Sequence, residues 1–331
     1  MENKVLLLHG DGVGPSVIGA AERMLTTVAE DVEIVHGKVG FDAYEETGEY
    51  LPSETLDLMR ECGYVICGPL NHYKDNAGRP LDLLETMRVS LDLFATVRTF
   101  RTLADGYGFP GTKATLWSSN SVKGHDIMEI RDLDGITISK YIRASSYSRM
   151  MTRALSDLEI SGGKSAICLT RPDMFPDSSE MFDEAFDVAF DNQIYRTEHM
   201  NITRWVSNMV RNNCDHDFIV CADMYSHVAA GLLAGMTGGN HLSPVGYVGD
   251  STVVLVPGLN ETYTGIPKDG ANPTSAFISV AMCLFNMDHP QEAESIINAL
   301  SESYAAGDVT SEFGGTLNTD EFTNRVISRL Q

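Results

Sequence analysis

Val5-Leu6-Leu7-Leu8-His9-Gly10-Asp11-Gly12-Val13-Gly14-Pro15 carries the reading that decides the fold. Four apolar residues in a row make a short buried strand, the glycines and proline make a turn, and residues 16–30 continue with apolar positions at helical spacing. Residues 32–37 alternate as a second strand. Strand, turn, helix and strand in that order make a parallel unit, and parallel strands need helices over both faces of their sheet.

Working outward, Ser53 opens a helix whose Leu56, Met59 and Cys62 repeat at helical spacing, and Tyr64–Cys67 is a strand ending at Gly68-Pro69. The pattern predicts a helix at 81–89, a strand at 91–97, and a strand running into a long helix over 136–158. Beyond these it predicts strands at 164–169, 217–222 and 252–257, with helices at 178–190, 200–212, 224–236, 273–286 and 290–304. The alternation makes the chain α/β, with a mixed, largely parallel sheet.

Composition excludes several functions. The 331 residues carry 24 Lys and Arg against 46 Asp and Glu, a formal charge of −22, so the average surface repels nucleic acid and anionic lipid. The uncharged stretches 224–249 and 270–287 are too rich in Gly, Asn, Ser and Pro for lipid-facing helices. No membrane or nucleic-acid partner is expected. The six cysteines, Cys62, Cys67, Cys168, Cys214, Cys221 and Cys283, form no CxxC pair. Most sit in apolar strings, as buried thiols of a reducing compartment do. The apolar run after Met1 is too short for a signal peptide, so the expected location is cytoplasmic.

Four blocks in order resemble the isocitrate and 3-isopropylmalate dehydrogenases, the β-decarboxylating dehydrogenases. Gly10-Asp11-Gly12-Val13-Gly14-Pro15 is similar to their GDGIGP, and Arg88 with Leu91-Asp92-Leu93-Phe94-Ala95-Thr96-Val97-Arg98 to R-x3-LDLYANLR. Asp223-Met224-Tyr225 through Gly238-Gly239 to Pro244 resembles NLYGDILSDEAA…GGLGLAP, and Gly270-Ala271-Asn272-Pro273-Thr274 resembles GIANPTA. The resemblance implies a two-lobed fold, with residues 1–100 and 250–331 in the large lobe. Residues 101–249 then form a smaller lobe carrying a dimer contact, and a cleft between the lobes borrows residues from the second subunit. It also implies NAD or NADP as cofactor, Mg2+ as metal, and a 2-hydroxy acid as substrate.

The residues match those implications unevenly. Arg88 and Arg98 fit the family's carboxylate clamp, because guanidinium forks bind carboxylates bidentately, although ordinary ion-paired arginines also fit. The third family arginine and the catalytic tyrosine have no counterpart in Leu116-Trp117-Ser118-Ser119-Asn120-Ser121-Val122. Arg171 replaces the catalytic lysine; it keeps the charge but cannot act as a base. His227, Gly231 and Thr203 stand where the family has metal-binding aspartates, so an ordinary Mg2+ site is not expected. Tyr263 and Asn272 match cofactor positions and equally suit loop packing. Asp223 and His227, four apart on one helix face, suit acid/base work, weak metal ligation or a capping hydrogen bond. Asp82 and Glu85, before Arg88, disfavour a tricarboxylate if their helix faces the cleft. Trp117 and Trp205 are expected in the core or a dimer contact, and His199 and His216 have no assigned role.

The sequence therefore points to a homodimeric isocitrate/isopropylmalate dehydrogenase-like protein, or a partner of a catalytic paralogue. It binds a small carboxylate or phosphate through Arg88, Arg98 and Arg171, with metal-dependent decarboxylation lost. The alternatives are an NAD(P)-dependent 2-hydroxy acid dehydrogenase and an enzyme with a rewired active site.

Overall fold

The computed structural model describes residues 3–75, 77–120, 126–191, 195–212, 217–258, 267 and 269–330. In chain order the first part holds β1 (Lys4–Leu8), α1 (Gly14–Val28), β2 (Glu33–Gly37), α2 (Phe41–Thr47), α3 (Ser53–Cys62), β3 (Tyr64–Cys67), β4 (Tyr73–Lys74), β5 (Pro80–Leu81), α4 (Leu83–Ser90) and β6 (Ala95–Arg101). The middle holds β7 (Lys113–Ser119), β8 (Ile127–Arg131), β9 (Ile136–Lys140), α5 (Ala144–Ile160), β10 (Ser165–Thr170), α6 (Pro176–Phe190), β11 (Arg196–Asn201), α7 (Ile202–Asn212), β12 (Phe218–Cys221) and α8 (Asp223–Met236). The last part holds β13 (Val245–Val248), β14 (Val253–Val256), α9 (Thr274–Asn286), α10 (Pro290–Ala305) and α11 (Thr319–Ile327).

One ten-stranded sheet runs through the molecule in the order β11-β10-β12-β7-β6-β13-β14-β3-β1-β2. Its two ends are parallel, and three antiparallel pairings, β7 with β6, β6 with β13 and β13 with β14, join them. Both faces are covered. Around β1 and β3, helices α1, α9, α10 and α11 enclose one apolar cluster, and α3 and α4 contribute to a second. Around β10 and β12, α5 and α6 cover one face, and α7 and α8 the other. Among the described residues, no helix is long and apolar enough to cross a membrane. The described cysteines are free, buried thiols; Cys214 lies outside the described residues.

The glycine turn is a close backbone contact. A Cβ on Gly10, where φ is +69°, would lie 2.4 Å from the Pro69 carbonyl oxygen, and one on Gly14 would lie 2.0 Å from the His9 oxygen. The buried Asp11 carboxylate pins this contact, accepting from the amides of Phe41 (3.0 Å) and Asn71 (2.9 Å) and from the Tyr73 hydroxyl.

Among the boundaries that differ from the sequence reading, two bear on the sheet. The strand expected over 91–97 begins only at Ala95, because Asp92 adopts φ +49° and the Asn120 amide ties down the carbonyls of Leu93 and Ala95, each at 2.9 Å. The helix expected over 200–212 begins at Ile202. Residues 196–201 instead pair with β10 as an edge strand, a polar segment with no apolar pattern of its own.

Both tryptophans are core residues, Trp117 against α5 and Trp205 beneath α8. Trp117 Nε1 donates to Asp157 Oδ2 at 2.8 Å, whereas the buried Trp205 Nε1 has no acceptor among the described residues. Both substitutions remove the same part of a buried ring, but Trp117→Phe also takes the indole donor from the half-buried Asp157 carboxylate and should cost about 1 kcal/mol more than Trp205→Phe, which removes no hydrogen bond. Urea denaturation of the two variants checks this; equal losses would refute it.

Near the C-terminus, the short 3-10 turn Ser311–Phe313 packs beside Asn272. Burial raises the Glu312 carboxyl to about 7, and the neighbouring Asn272 amide only partly offsets it. A carboxyl whose folded pKa exceeds its unfolded value costs nothing at pH 4. Its cost grows as pH rises through 4.5 to 7 and is complete above 7. Glu312→Gln should match the parent at pH 4 and exceed its stability at pH 8 by about 1–2 kcal/mol, discounted for solvent access. Denaturation midpoints at the two pH values measure the difference, and a pH-independent difference would contradict the assignment.

Candidate active site

A cavity of about 390 Å³ opens beside the antiparallel centre of the sheet. Helix α4 contributes Arg88 in its last turn, β6 contributes Thr96 and Arg98, β13 contributes Tyr247, and α8 contributes Asp223 and His227. Ser118, Ser119 and Asn120 come from the end of β7, and Lys140 from the end of β9.

Arg98 lies opposite Val245 on one neighbouring strand and Leu116 on the other. Its guanidinium donates to Asn240 Oδ1 at 3.2 Å and to the Ser243 carbonyl at 3.4 Å, and lies 5.0 Å from the Phe100 ring centroid. Burial lowers its pKa, but an arginine remains a cation in any protein. Arg88 stands 5.6 Å from the Tyr247 ring centroid and 4.0 Å from Glu85. Burial raises the Tyr247 phenol, and the positive charges of Arg88 and Arg98 oppose that rise without cancelling it. The phenol is therefore a protonated donor at neutral pH, set against two guanidiniums.

Lys140 and Asp223 form a direct ion pair across the opposite wall, with side chains 16% and 8% exposed. Asp223 occupies the first turn of α8, where the helix dipole favours a carboxylate. His227 follows one turn later. Among the described residues, Asp223 is the one carboxylate lining the cavity, against Arg88, Arg98 and Lys140.

Arg88, Arg98, Asp223 and His227 are thus brought together as the sequence suggests, but Arg171 is not among the residues lining the cavity. It follows β10, 3.6 Å from Asp173. Asn272 is fully buried with both ends of its amide engaged, donating to Thr310 Oγ1 at 3.0 Å and accepting from the Thr274 amide at 2.9 Å. It packs its loop. Tyr263 and His216 lie outside the described residues. Asp82 caps α4 by accepting from the Glu85 amide at 3.0 Å, and neither residue lines the cavity. Two cavity residues gave no signal in the sequence. Lys140 ends an exposed hairpin and meets Asp223 only through the fold, and Tyr247 lies on β13, where Gly246 interrupts the apolar run that marks the other short strands.

Among the described residues of this chain, the cavity lining does not offer the ligands of a hard divalent cation. Mg2+ needs several oxygen ligands in near-octahedral array, and the single lining carboxylate is already held by an ammonium group.

The model of the family described as "Isocitrate/isopropylmalate dehydrogenase" matches residues 4–137 and 129–326. The chain is 26% identical to an isocitrate/homoisocitrate dehydrogenase of Thermus thermophilus, covering 100% of this chain and 99% of that protein. It is also 26% identical to a 3-isopropylmalate dehydrogenase of Archaeoglobus fulgidus, over 99% of each. Among solved structures it resembles isocitrate dehydrogenase from Methylococcus capsulatus, with a TM-score of 0.85 at 21% identity over 99% of both chains. It likewise resembles the apo β-decarboxylating dehydrogenase of Thermococcus kodakarensis, with a TM-score of 0.86 at 22% identity over 99% of this chain and 96% of the other. Fold, sequence blocks and full-length matches agree: the chain belongs to the isocitrate/isopropylmalate dehydrogenase family.

Proposed function

We propose that the cavity binds a small carboxylate or phosphate, and that the protein does not carry out metal-dependent oxidative decarboxylation. The observation that carries this reading is a basic cavity in an acidic chain: three cations against one carboxylate among the described lining residues, where the whole chain has net charge −22. An anion entering between Arg88 and Arg98 accepts charge-assisted hydrogen bonds, and the Tyr247 hydroxyl and the Ser118 and Ser119 hydroxyls are available as further donors. A second anionic group on the ligand competes with Asp223 for Lys140. A dicarboxylate therefore suits the cavity better than a monocarboxylate. The Lys140–Asp223 pair, with His227 beside it, also supports the second reading of an enzyme with rewired proton transfer.

The protein is further proposed to act as a dimer. Met128, Ile130, Ile136 and Ile138 are 52–68% exposed along the β8–β9 hairpin, and Val210 on α7 and Val228 on α8 are more than half exposed. Such apolar surface calls for a covering partner. A second copy also gives Arg171 a route to its partner's cavity, as the family resemblance implies. The buried free thiols agree with a reducing, cytoplasmic setting.

In a thermal-shift screen, a dicarboxylate such as malate, or inorganic phosphate, should stabilise the chain by about 2.7 kcal/mol at one hundred times its Kd. Arg88→Ala and Arg98→Ala should each remove that stabilisation. Absence of any stabilising anion, or its persistence in Arg88→Ala, refutes the pocket. Malate, isocitrate or isopropylmalate with NAD or NADP and Mg2+ should produce no reduced nicotinamide; sustained production would restore the ordinary dehydrogenase. Lys140→Met, which leaves Asp223 without its ammonium partner, should weaken binding of a dicarboxylate more than of a monocarboxylate, and equal weakening would exclude the second contact. Light scattering should give the mass of two chains, with a monomeric mass contradicting the dimer.

A further inference from the structure

Outside the cavity, the β10–β11 edge of the sheet gathers a cluster that neither the family resemblance nor the anion site explains. Cys168 on β10 and His199 on β11 are register partners in a parallel pair, so both side chains leave the sheet on the same face. That face is covered by α6, which supplies Asp183 and, one turn later, Asp187. The Cys168 Sγ donates to Asp183 Oδ1 at 3.3 Å, and His199 Nδ1 lies 3.1 Å from the same oxygen. One ligand atom from each of Cys168, Asp183 and His199 lies within 4.8 Å of the other two.

We propose that Cys168, Asp183 and His199 form a site for a borderline-soft divalent cation of the Zn2+ class. Three ligand types arrive from three separate elements, and thiolate with imidazole selects Zn2+ or Co2+ over Mg2+ or Ca2+. With bonds of about 2.3 Å to sulfur and about 2.0 Å to nitrogen and oxygen, a tetrahedral ion spaces its ligands roughly 3.2–3.6 Å apart. The observed 3.1 and 3.3 Å spacings need little adjustment.

The surroundings are those of a ligating histidine. The other ring nitrogen, Nε2, pairs with Asp187 Oδ1 at 2.7 Å, the carboxylate contact that fixes a histidine's tautomer and ring plane when it holds a metal. Thr170 Oγ1 lies 3.3 Å from Asp183 Oδ1 and orients that carboxylate. Phe186 packs edge-on to the imidazole at 5.3 Å between centroids. His199 and Asp183 are 39% and 29% exposed, so water can fill the fourth position and an ion can enter from solvent. On binding, the Cys168 thiol releases its proton, the sulfur donates an electron pair to the metal, and the proton between His199 Nδ1 and Asp183 also leaves. No redox change occurs. The bound ion ties the polar edge strand β11 to both β10 and α6.

The competing group is His9, Glu22 and His36 on the opposite half of the sheet. It has no sulfur, and its two rings stack 6.0 Å apart at 5°.

Co2+ titrated into the purified chain should give a thiolate-to-cobalt charge-transfer band saturating at one equivalent and abolished by excess Zn2+. Cys168→Ala and His199→Gln should each lose the band, and His36→Gln should keep it. His199 is partly exposed, so His199→Gln tests the site even if the buried Cys168→Ala fails to fold, with circular dichroism reporting the fold of each. Asp187→Asn should weaken Zn2+ by about tenfold to a hundredfold. No band in the parent chain, or a band that survives His199→Gln, overturns the proposal.

Discussion

The pairing of β6 with β13 is the constraint on which the rest of the molecule depends. Each end of the sheet is parallel and is covered by its own helices. The antiparallel pairs at the centre join the two into one ten-stranded sheet. They also set the site's geometry, because Arg98 lies opposite Val245, while Thr96 faces Tyr247 directly. A slip of one residue in that pairing would turn Arg98 to the other face and leave the cavity without one of the three cations among its described lining residues. Arg149 secures the junction from outside: its guanidinium holds Asp92 at 2.8 Å and Asp250 at 2.7 Å, and lies 4.0 Å from the Phe94 ring centroid.

The electrostatics of the cavity follow from how its cations are held. Lys140 has a carboxylate partner, but the half-buried Arg98 is held by neutral acceptors, the Asn240 side chain and the Ser243 carbonyl. Taking a guanidinium out of water without a counter-charge is unfavourable, and an anion beside it recovers part of that cost. On the proposed reading Tyr247 favours an anion further, since a protonated phenol donates and offers no competing negative charge.

Much of the fold was legible because parallel strands buried on both faces read as plain apolar runs: Val5–Leu8, Tyr64–Cys67 and Phe218–Cys221 are unmistakable. The edge strand β11 was not, because residues at an edge meet solvent and need no apolar pattern. The site divided in the same way. Arg88 and Arg98, and likewise Asp223 and His227, stand in blocks that resemble the family's, so the resemblance made them candidates, and the fold brings all four to one cavity. Lys140 reaches Asp223 across 83 residues of sequence through the path of a hairpin, which no local pattern encodes. Asn272 illustrates the opposite case: its block suited a cofactor contact and loop packing equally, and its side-chain hydrogen bonds go to Thr310 and Thr274 of its own surroundings.

The contact between the first glycine turn and the segment at Gly68-Pro69 has a consequence for what the fold can host. Backbone amides in a glycine-rich turn cradle phosphates only when they point at open space. Here the Asp11 amide donates to the Pro69 carbonyl at 2.7 Å, and the turn is filled by main chain. Grafting a mononucleotide pocket onto the end of β1 would mean rebuilding the crossing at residues 68–73 first, since the space such a ligand needs is already taken by the protein's own carbonyl groups.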